Sequence, residues 1–181
     1  MGRNLPTEIV KKLYLSYIHP TMEYASLVWH ASIREEEATA LERIQASVAR
    51  AILRAPWRTP KSHLLEQLDW PSPRCRRTVA TLVFLHKLMY SVSSPCADSL
   101  MPFSASKSWR ALRKLHQILL SQPNKSCYRN SFFFYAAALR NTLPDNIQSQ
   151  KSRKQFKKAV KFYLKSYKYI TNKNVPLPHL C

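Results

Sequence analysis

Along most of this 181-residue chain, apolar and polar positions alternate with a helical period. Pro6-Thr7-Glu8 has the form of a helix start, and Ile9, Val10, Leu13, Tyr14, Tyr17 and Ile18 follow at helical spacing up to Pro20, where a break is expected. A second, shorter helix is predicted over Met22–His30, with Tyr24, Leu27, Val28 and Trp29. Ser32 is placed to cap a long third helix. Its first turn holds Glu35, Glu36 and Glu37, the sign that suits the positive end of the helix dipole. The inner stripe of that helix reads Leu41, Ile44, Val48, Ala51 and Ile52 and ends before Pro56. Thr59-Pro60 and Ser72-Pro73 repeat one device, a capping hydroxyl followed by a proline in the first turn. They open predicted helices near Lys61–Leu68 and Pro73–Tyr90, the latter turning Val79, Leu82, Val83, His86 and Met89 inward.

Past Tyr90 the period lapses. Val92–Ser108 is rich in Ser and Pro and reads as a loop or linker. A helix is predicted over Trp109–Leu120, followed by a polar, turn-like stretch from Ser121 to Asn130. Phe132-Phe133-Phe134, leading into Tyr135, Ala136, Ala137, Ala138 and Leu139 before Pro144, fits either a short strand or the first turn of a buried helix. A last helix, about Gln150 to Tyr169, gathers Phe156, Ala159, Val160, Tyr163, Leu164 and Tyr167 on one face. Lys154, Lys157, Lys158, Lys161, Lys165 and Lys168 lie on or beside the other. The expected architecture is all-α: a multi-helix bundle over 1–91, a linker at 92–108, a basic helical region over 109–170 and a fraying tail at 171–181.

Composition supports that picture. Glycine occurs once, at Gly2, so tight hairpins are disfavoured, and left-handed helix caps are expected to fall to Asn. Cys75, Cys96, Cys127 and Cys181 are at least 21 residues apart, without a CxxC or a zinc-finger spacing, and read as reduced thiols of an intracellular protein, nuclear or cytoplasmic. No run of about 18 apolar residues suggests a membrane span, and no signal-peptide core suggests secretion. Met1-Gly2 is followed by Pro6 where a myristoylation signal wants Ser or Thr. Nothing in the pattern indicates an oligomeric state.

Charge changes the picture most. The net charge is +19, and its distribution is uneven: Met1–Trp70 carries nine Lys/Arg against eight Asp/Glu, Pro71–Cys181 twenty against two. Such a field attracts polyanions, and counterion release from nucleic acid converts it into affinity. It also restricts chemistry. Two-metal phosphoryl transfer needs clustered carboxylates, whereas the aspartates are only Asp69, Asp98 and Asp145, with no pair. Glu35-Glu36-Glu37 reads as a helix-start feature, His86 and His116 as core-edge residues, and one glycine cannot build a phosphate-cradling loop. No catalytic residue, metal site or cofactor is expected.

The basic residues suggest a partner instead. Arg74, Arg76 and Arg77 crowd a helix start, against the dipole preference, which invites an external anion or else a solvated face. Trp109, Arg110, Arg113 and Lys114, and likewise Tyr128 with Arg129, mix aromatic and basic groups as nucleic-acid surfaces do. The basic helix from Gln150 fits three roles: lying on a phosphate backbone, lying on an anionic membrane, or packing with its lysines in water. The candidate contacts are therefore Arg74, Arg76, Arg77, Arg110, Arg113, Lys114, Lys154, Lys157, Lys158, Lys161 and Lys165.

Several blocks carry a resemblance. Leu13-Tyr14-Leu15-Ser16-Tyr17-Ile18-His19-Pro20-Thr21-Met22-Glu23-Tyr24-Ala25, with Trp29 following, is similar to a block that lies downstream of the polymerase active site in non-LTR (LINE-type) retrotransposon reverse transcriptases. Leu41-Glu42-Arg43-Ile44-Gln45 through Arg50 resembles their LERIQ…R helix, and Leu68-Asp69-Trp70-Pro71-Ser72 with Arg76-Arg77 and Lys87 their LGWPSL…RR…K segment. Tyr128-Arg129-Asn130-Ser131-Phe132-Phe133 resembles YRNSFF, Asn141-Thr142-Leu143-Pro144 resembles WNSLP, and Phe156-Lys157 the closing FK helix. The blocks keep their order over about Leu13–Leu164. Asp69 stands where the pattern has Gly, Pro73 where it has Leu, and Arg140 where it has Trp. The resemblance implies a thumb and post-polymerase region without the paired polymerase aspartates. Such a region would hold RNA, DNA or an RNA–DNA hybrid; the alternative is a remnant without function, in which case exposed Tyr24, Trp29 or Phe132–Phe134 would mark the lost interface with the polymerase domains.

Overall fold

The computed structural model describes residues 6–90, 118, 120 and 125–170. The linker expected at 92–108 and the tail at 171–181 lie outside them, as does the helix expected over Trp109–Leu120 apart from Ile118 and Leu120, which are not helical. Among the described residues every regular element is a helix and no strand occurs, so the fold is all-α. Two compact units result, Met1–Trp29 with Ile33–Arg77 and His30–Ser32 with Thr78–Cys181.

In the first unit, α1 (Thr7–Leu13) runs through a π-helical turn (Tyr14–Ile18) into α2 (His19–Glu23). Pro20 therefore does not end the helix; it sits in the first turn of α2. A proline lacks the N–H its turn requires and crowds the carbonyl four residues back, and the wider π turn relieves both demands. The next break comes at Ala25, with φ 49°, so the helix expected over Met22–His30 is split, leaving α3 at Ser26–Trp29. The long helix α4 (Glu35–Leu53) is capped at Arg34, not Ser32: the Arg34 backbone N–H donates to the Glu37 carboxylate at 3.1 Å. Its buried face is Ala38, Gln45, Ala46 and Ala49, while Ile44 and Ala51 of the expected stripe are exposed. The small side chains let α1 and α5 (Lys61–Gln67) approach α4, and the Gln45 amide donates to the Pro71 carbonyl at 3.2 Å. Around Ala49, Leu64 and Leu65 pack Leu53, Ala55, Leu68 and Trp70, and Tyr14 stacks on Trp70 with ring centroids 4.9 Å apart.

The glycine shortage is met differently from expectation. The left-handed positions fall to Ala25, Arg54 and Asp69 rather than to Asn. At Arg54 and Asp69 the following N–H reaches back five residues, Ala55 to the Arg50 carbonyl at 3.1 Å and Trp70 to that of Leu65 at 2.9 Å. These are Schellman-type closures, in which a non-glycine residue costs about 1–2 kcal/mol.

The second unit begins within α6 (Pro73–Tyr90), whose first turn through Arg77 belongs to the first. Ser72 caps α6 as expected, its hydroxyl accepting from the Cys75 N–H at 3.2 Å, whereas Thr59 makes no such bond to α5. Val79, Leu82, Val83, Leu85 and His86 are buried, and Met89 is half-buried. After α7 (Ser126–Arg129), the phenylalanine run opens helix α8 (Phe132–Asn141), with the Ser131 hydroxyl accepting from the Phe134 N–H at 3.5 Å. Buried Arg140 donates from Nη2 to the Gln148 carbonyl at 2.9 Å. Gln148 is the last residue of α9 (Asp145–Gln148), so this bond supplies a partner the helix end lacks. Helix α10 (Arg153–Ile170) buries Phe156 and Val160 completely. Neither Cys75 nor Cys127 forms a disulfide, and no described helix is long and apolar enough to cross a membrane.

Candidate nucleic-acid interface

The three arginines at the start of α6 each meet a group of the first unit. Arg74 pairs with Glu35 at 2.7 Å, and Arg76 pairs with Glu23 at 2.5 Å while donating to the Pro71 carbonyl at 3.3 Å. Arg77 is 1 % exposed, its guanidinium 5.3 Å from the centre of the Trp29 ring. Burial lowers its pKa, and Glu23 and Glu42 oppose that shift. A side chain so enclosed cannot reach a phosphate, so Arg77 leaves the candidate contacts. Arg76 is committed to Glu23, and only Arg74, at the surface, could exchange its carboxylate for another anion. Sequence spacing placed these arginines correctly at a helix start. It carried no sign of Glu23, 53 residues away in the chain.

Nearby, His19 lies 3.6 Å from Glu23. Its pKa is lowered, first by burial and then by Arg76, with Glu23 pulling the other way. Lys61 pairs with Glu42, and Arg50 lies over the exposed Trp57 ring at 5.0 Å. Of the residues expected to mark an apolar interface, only Tyr24 is fully exposed, at 81 %. Trp29 is half-buried and its indole N–H donates to the Tyr24 carbonyl at 2.9 Å; Phe132 and Phe133 are half-buried and Phe134 is buried. Ile9, Leu13, Tyr17 and Val28 extend the exposed apolar surface around α1–α3.

Helix α10 is arranged the other way. Phe156 is 0 % exposed and stacks on His86 with ring centroids 4.3 Å apart, anchoring one face of the helix in the core of its unit. His86 Nε2 pairs with the Gln150 carbonyl at 2.8 Å; a carbonyl only accepts, so this nitrogen carries the proton. Burial, with Arg140 and Arg153 nearby, lowers the His86 pKa against the pull of that carbonyl, so the ring is held neutral. Burial likewise lowers the pKa of Arg140, with Tyr90 opposing. On the outer face Lys154, Lys157, Lys158, Lys161 and Lys165 are all exposed. Among the described residues no carboxylate pairs with the first four of these, and α10 contains no acidic residue. Asp145 on α9 is the one acid this unit has among the described residues.

One residue of this face escaped the sequence pattern: Phe162, 74 % exposed, on the lysine side of α10. Its position was readable from the helical period: six residues past buried Phe156, it is turned about 120° from that residue, on the flank beside Lys158 and Lys165. Arg110, Arg113, Lys114 and Trp109 lie outside the described residues. Among the described residues no group of three or more His, Cys, Asp or Glu side chains could hold a metal ion. No family model, curated protein or solved structure matches this chain.

Proposed function

We propose that this chain is a non-catalytic nucleic-acid-binding protein that holds the backbone of RNA, DNA or their hybrid without strong sequence preference. In this reading it corresponds to the thumb and post-polymerase region of a LINE-type reverse transcriptase. The observation that carries the proposal is the lysine face of α10: Lys154, Lys157, Lys158 and Lys161 are exposed together without a local carboxylate, on a helix anchored by Phe156 and Val160. Such a row neutralises phosphates and releases their counterions. The same anchoring weighs against an anionic membrane as the partner, because an interfacial helix needs its apolar face free to enter the lipid boundary.

The proposed kinship draws support from how the recurring blocks meet. Tyr14 of the first block stacks on Trp70 of the third, Gln45 of the second donates to Pro71, and Arg76 pairs with Glu23. Asp69, standing where the pattern has Gly, has the positive φ that glycine serves best. These blocks are packing residues, as expected of a support region without chemistry of its own. The exposed apolar surface around Tyr17, Tyr24 and Val28 would then receive the polymerase domains.

The test is a salt titration with the full chain. For about four phosphate contacts, affinity should fall roughly 50- to 150-fold between about 50 and 200 mM salt. Replacing Lys154, Lys157, Lys158 and Lys161 by Gln should lower affinity and flatten that slope by about 0.7–0.9 per lysine. Unchanged affinity and slope in this variant would remove α10 as the binding face.

A further inference from the structure

We infer that the α10 face takes a single-stranded segment, with Phe162 as a stacking platform for an unpaired base beside a lysine row that tracks the phosphates. This inference rests on the nucleic-acid reading above and specifies the substrate class of that face. Lys154, Lys158, Lys161 and Lys165 follow one another along one side of α10 over about 16 Å of helix. Phe162 stands at the edge of that row, one turn beyond Lys158 and just short of one turn before Lys165, where side chains three and four apart are neighbours. Lysine stems often fold over a nearby apolar ring and cover it. Here the ring is 74 % exposed, so its π-face is open to a ligand.

Chemistry then selects the ligand. A duplex presents phosphates on its outside and keeps its bases stacked internally, so it can use the lysines but not the ring. A single strand offers both groups, and base–aromatic stacking tolerates any base because each has a π-face. An anionic lipid surface could also accept lysines and one aromatic. However, the residues that would carry such a helix into the lipid boundary, Phe156 and Val160, are fully buried.

The experiment compares Phe162→Ala, Phe162→Leu and Phe162→Trp in the full chain. Each is titrated against a mixed-sequence single-stranded RNA, the same sequence as a duplex, and phosphatidylserine-containing vesicles. Phe162→Ala and Phe162→Leu should each weaken single-strand binding roughly 5- to 100-fold. Duplex binding should stay unchanged, and Phe162→Trp should bind the single strand at least as well as the parent chain. Leucine keeps the apolar bulk and loses the π-face, so a leucine variant that binds like the parent would overturn stacking. Equal weakening on single strand and duplex, or weakening on vesicles alone, would also overturn it. The four-lysine Gln variant keeps the two readings separable. If it loses affinity while the Phe162 variants do not, the stacking site fails and the backbone reading survives. If neither loses affinity, both fail. An exposed position makes misfolding an implausible source of these effects, and circular dichroism of each variant checks it.

Discussion

The two units treat positive charge in opposite ways. The first holds twelve Lys/Arg and eight Asp/Glu, and three of its cations are answered by carboxylates of the same unit: Arg74 by Glu35, Arg76 by Glu23, Lys61 by Glu42. The second holds seventeen against two, and on α10 Lys154, Lys157, Lys158 and Lys161 face water with no carboxylate among the described residues paired to them. A count of charges places both sets of basic residues on one list of contacts. Whether a carboxylate lies within reach decides which of them is available to a partner, and that depends on the fold. In the first unit a cation is part of the packing; in the second it is surface held ready by packing elsewhere.

The largest effects should come from what holds the lysine helix in place. Phe156→Ala removes a fully buried ring stacked on His86 and should cost about 3–5 kcal/mol in urea unfolding, whereas Phe162→Ala should stay within about 0.5 kcal/mol. Similar costs for the two phenylalanines would mean that α10 does not have one anchored and one open face. Glu23→Ala comes next. It leaves Arg76, with a side chain only 15 % exposed, without its carboxylate, and weakens the opposition to burial at Arg77. Removing one partner of a fully buried pair costs about 3–5 kcal/mol, so a partly solvated one should cost about 1–3. A loss as small as that of a surface substitution would erase the contrast between the units.

Acid should act on the second unit through His86, and in the same direction on the first through His19, whose pKa is also lowered. The folded-state pKa of His86 lies below the ordinary 6.5, so between the two values the unfolded chain binds more protons. The stability that the neutral ring contributes is complete above the unfolded value and is lost as pH falls through the folded one. The urea midpoint should therefore drop as pH falls below about 6.5. His86→Phe, which keeps a ring against Phe156 and cannot titrate, should flatten that drop. An equally steep drop in this variant would assign the acid sensitivity to other groups.

Much of this arrangement was legible in sequence, for physical reasons. The helical period marked α4, α6 and α10, and Ser72-Pro73 marked the start of α6, because these signals act within a turn or two of chain. The inner face of α4 was misread because its buried positions are small or polar: Ala38, Gln45, Ala46 and Ala49 carry a weak hydrophobic signal, while exposed Ile44 carries a strong one. Pro20 misled for a similar reason, since a π turn is defined by hydrogen-bond register and leaves no side-chain signature. The burial of Arg77 depends on Trp29 and on carboxylates far along the chain, which local spacing cannot reveal. The α10 lysines were identified from sequence because the apolar stripe that exposes them lies on the same helix.

A smaller effect tests the glycine shortage. At Asp69, where φ is 49°, Ala should be less stable than Gly by about 1 kcal/mol in urea unfolding. Equal stability would mean that the left-handed closure before Trp70 carries no strain, and the positional match to the pattern's glycine would lose its physical basis.

The smallest effect bears most directly on purpose. Lys154, Lys157, Lys158 and Lys161 form like-charged neighbours three and four residues apart, and the basic first turn of α10 also opposes the helix dipole. Each like-charged pair costs about 0.2–0.5 kcal/mol before screening. Replacing all four by Gln removes four such pairs, about 0.8–2 kcal/mol before screening, and should raise stability by about 0.5–1 kcal/mol once the exposed charges are screened, with the gain shrinking further as salt is added. The same substitution should weaken nucleic-acid binding, so stability and affinity would move in opposite directions in one variant. Glu23→Ala offers no such trade, since its arginine partners are spent on the fold. A loss of stability in the four-lysine variant would show that α10 uses its lysines for its own packing, and the surplus charge would need another explanation than a ligand. A gain would mean that the helix keeps a repulsive face at its own expense, which a face kept for polyanions explains and a merely solvated one does not.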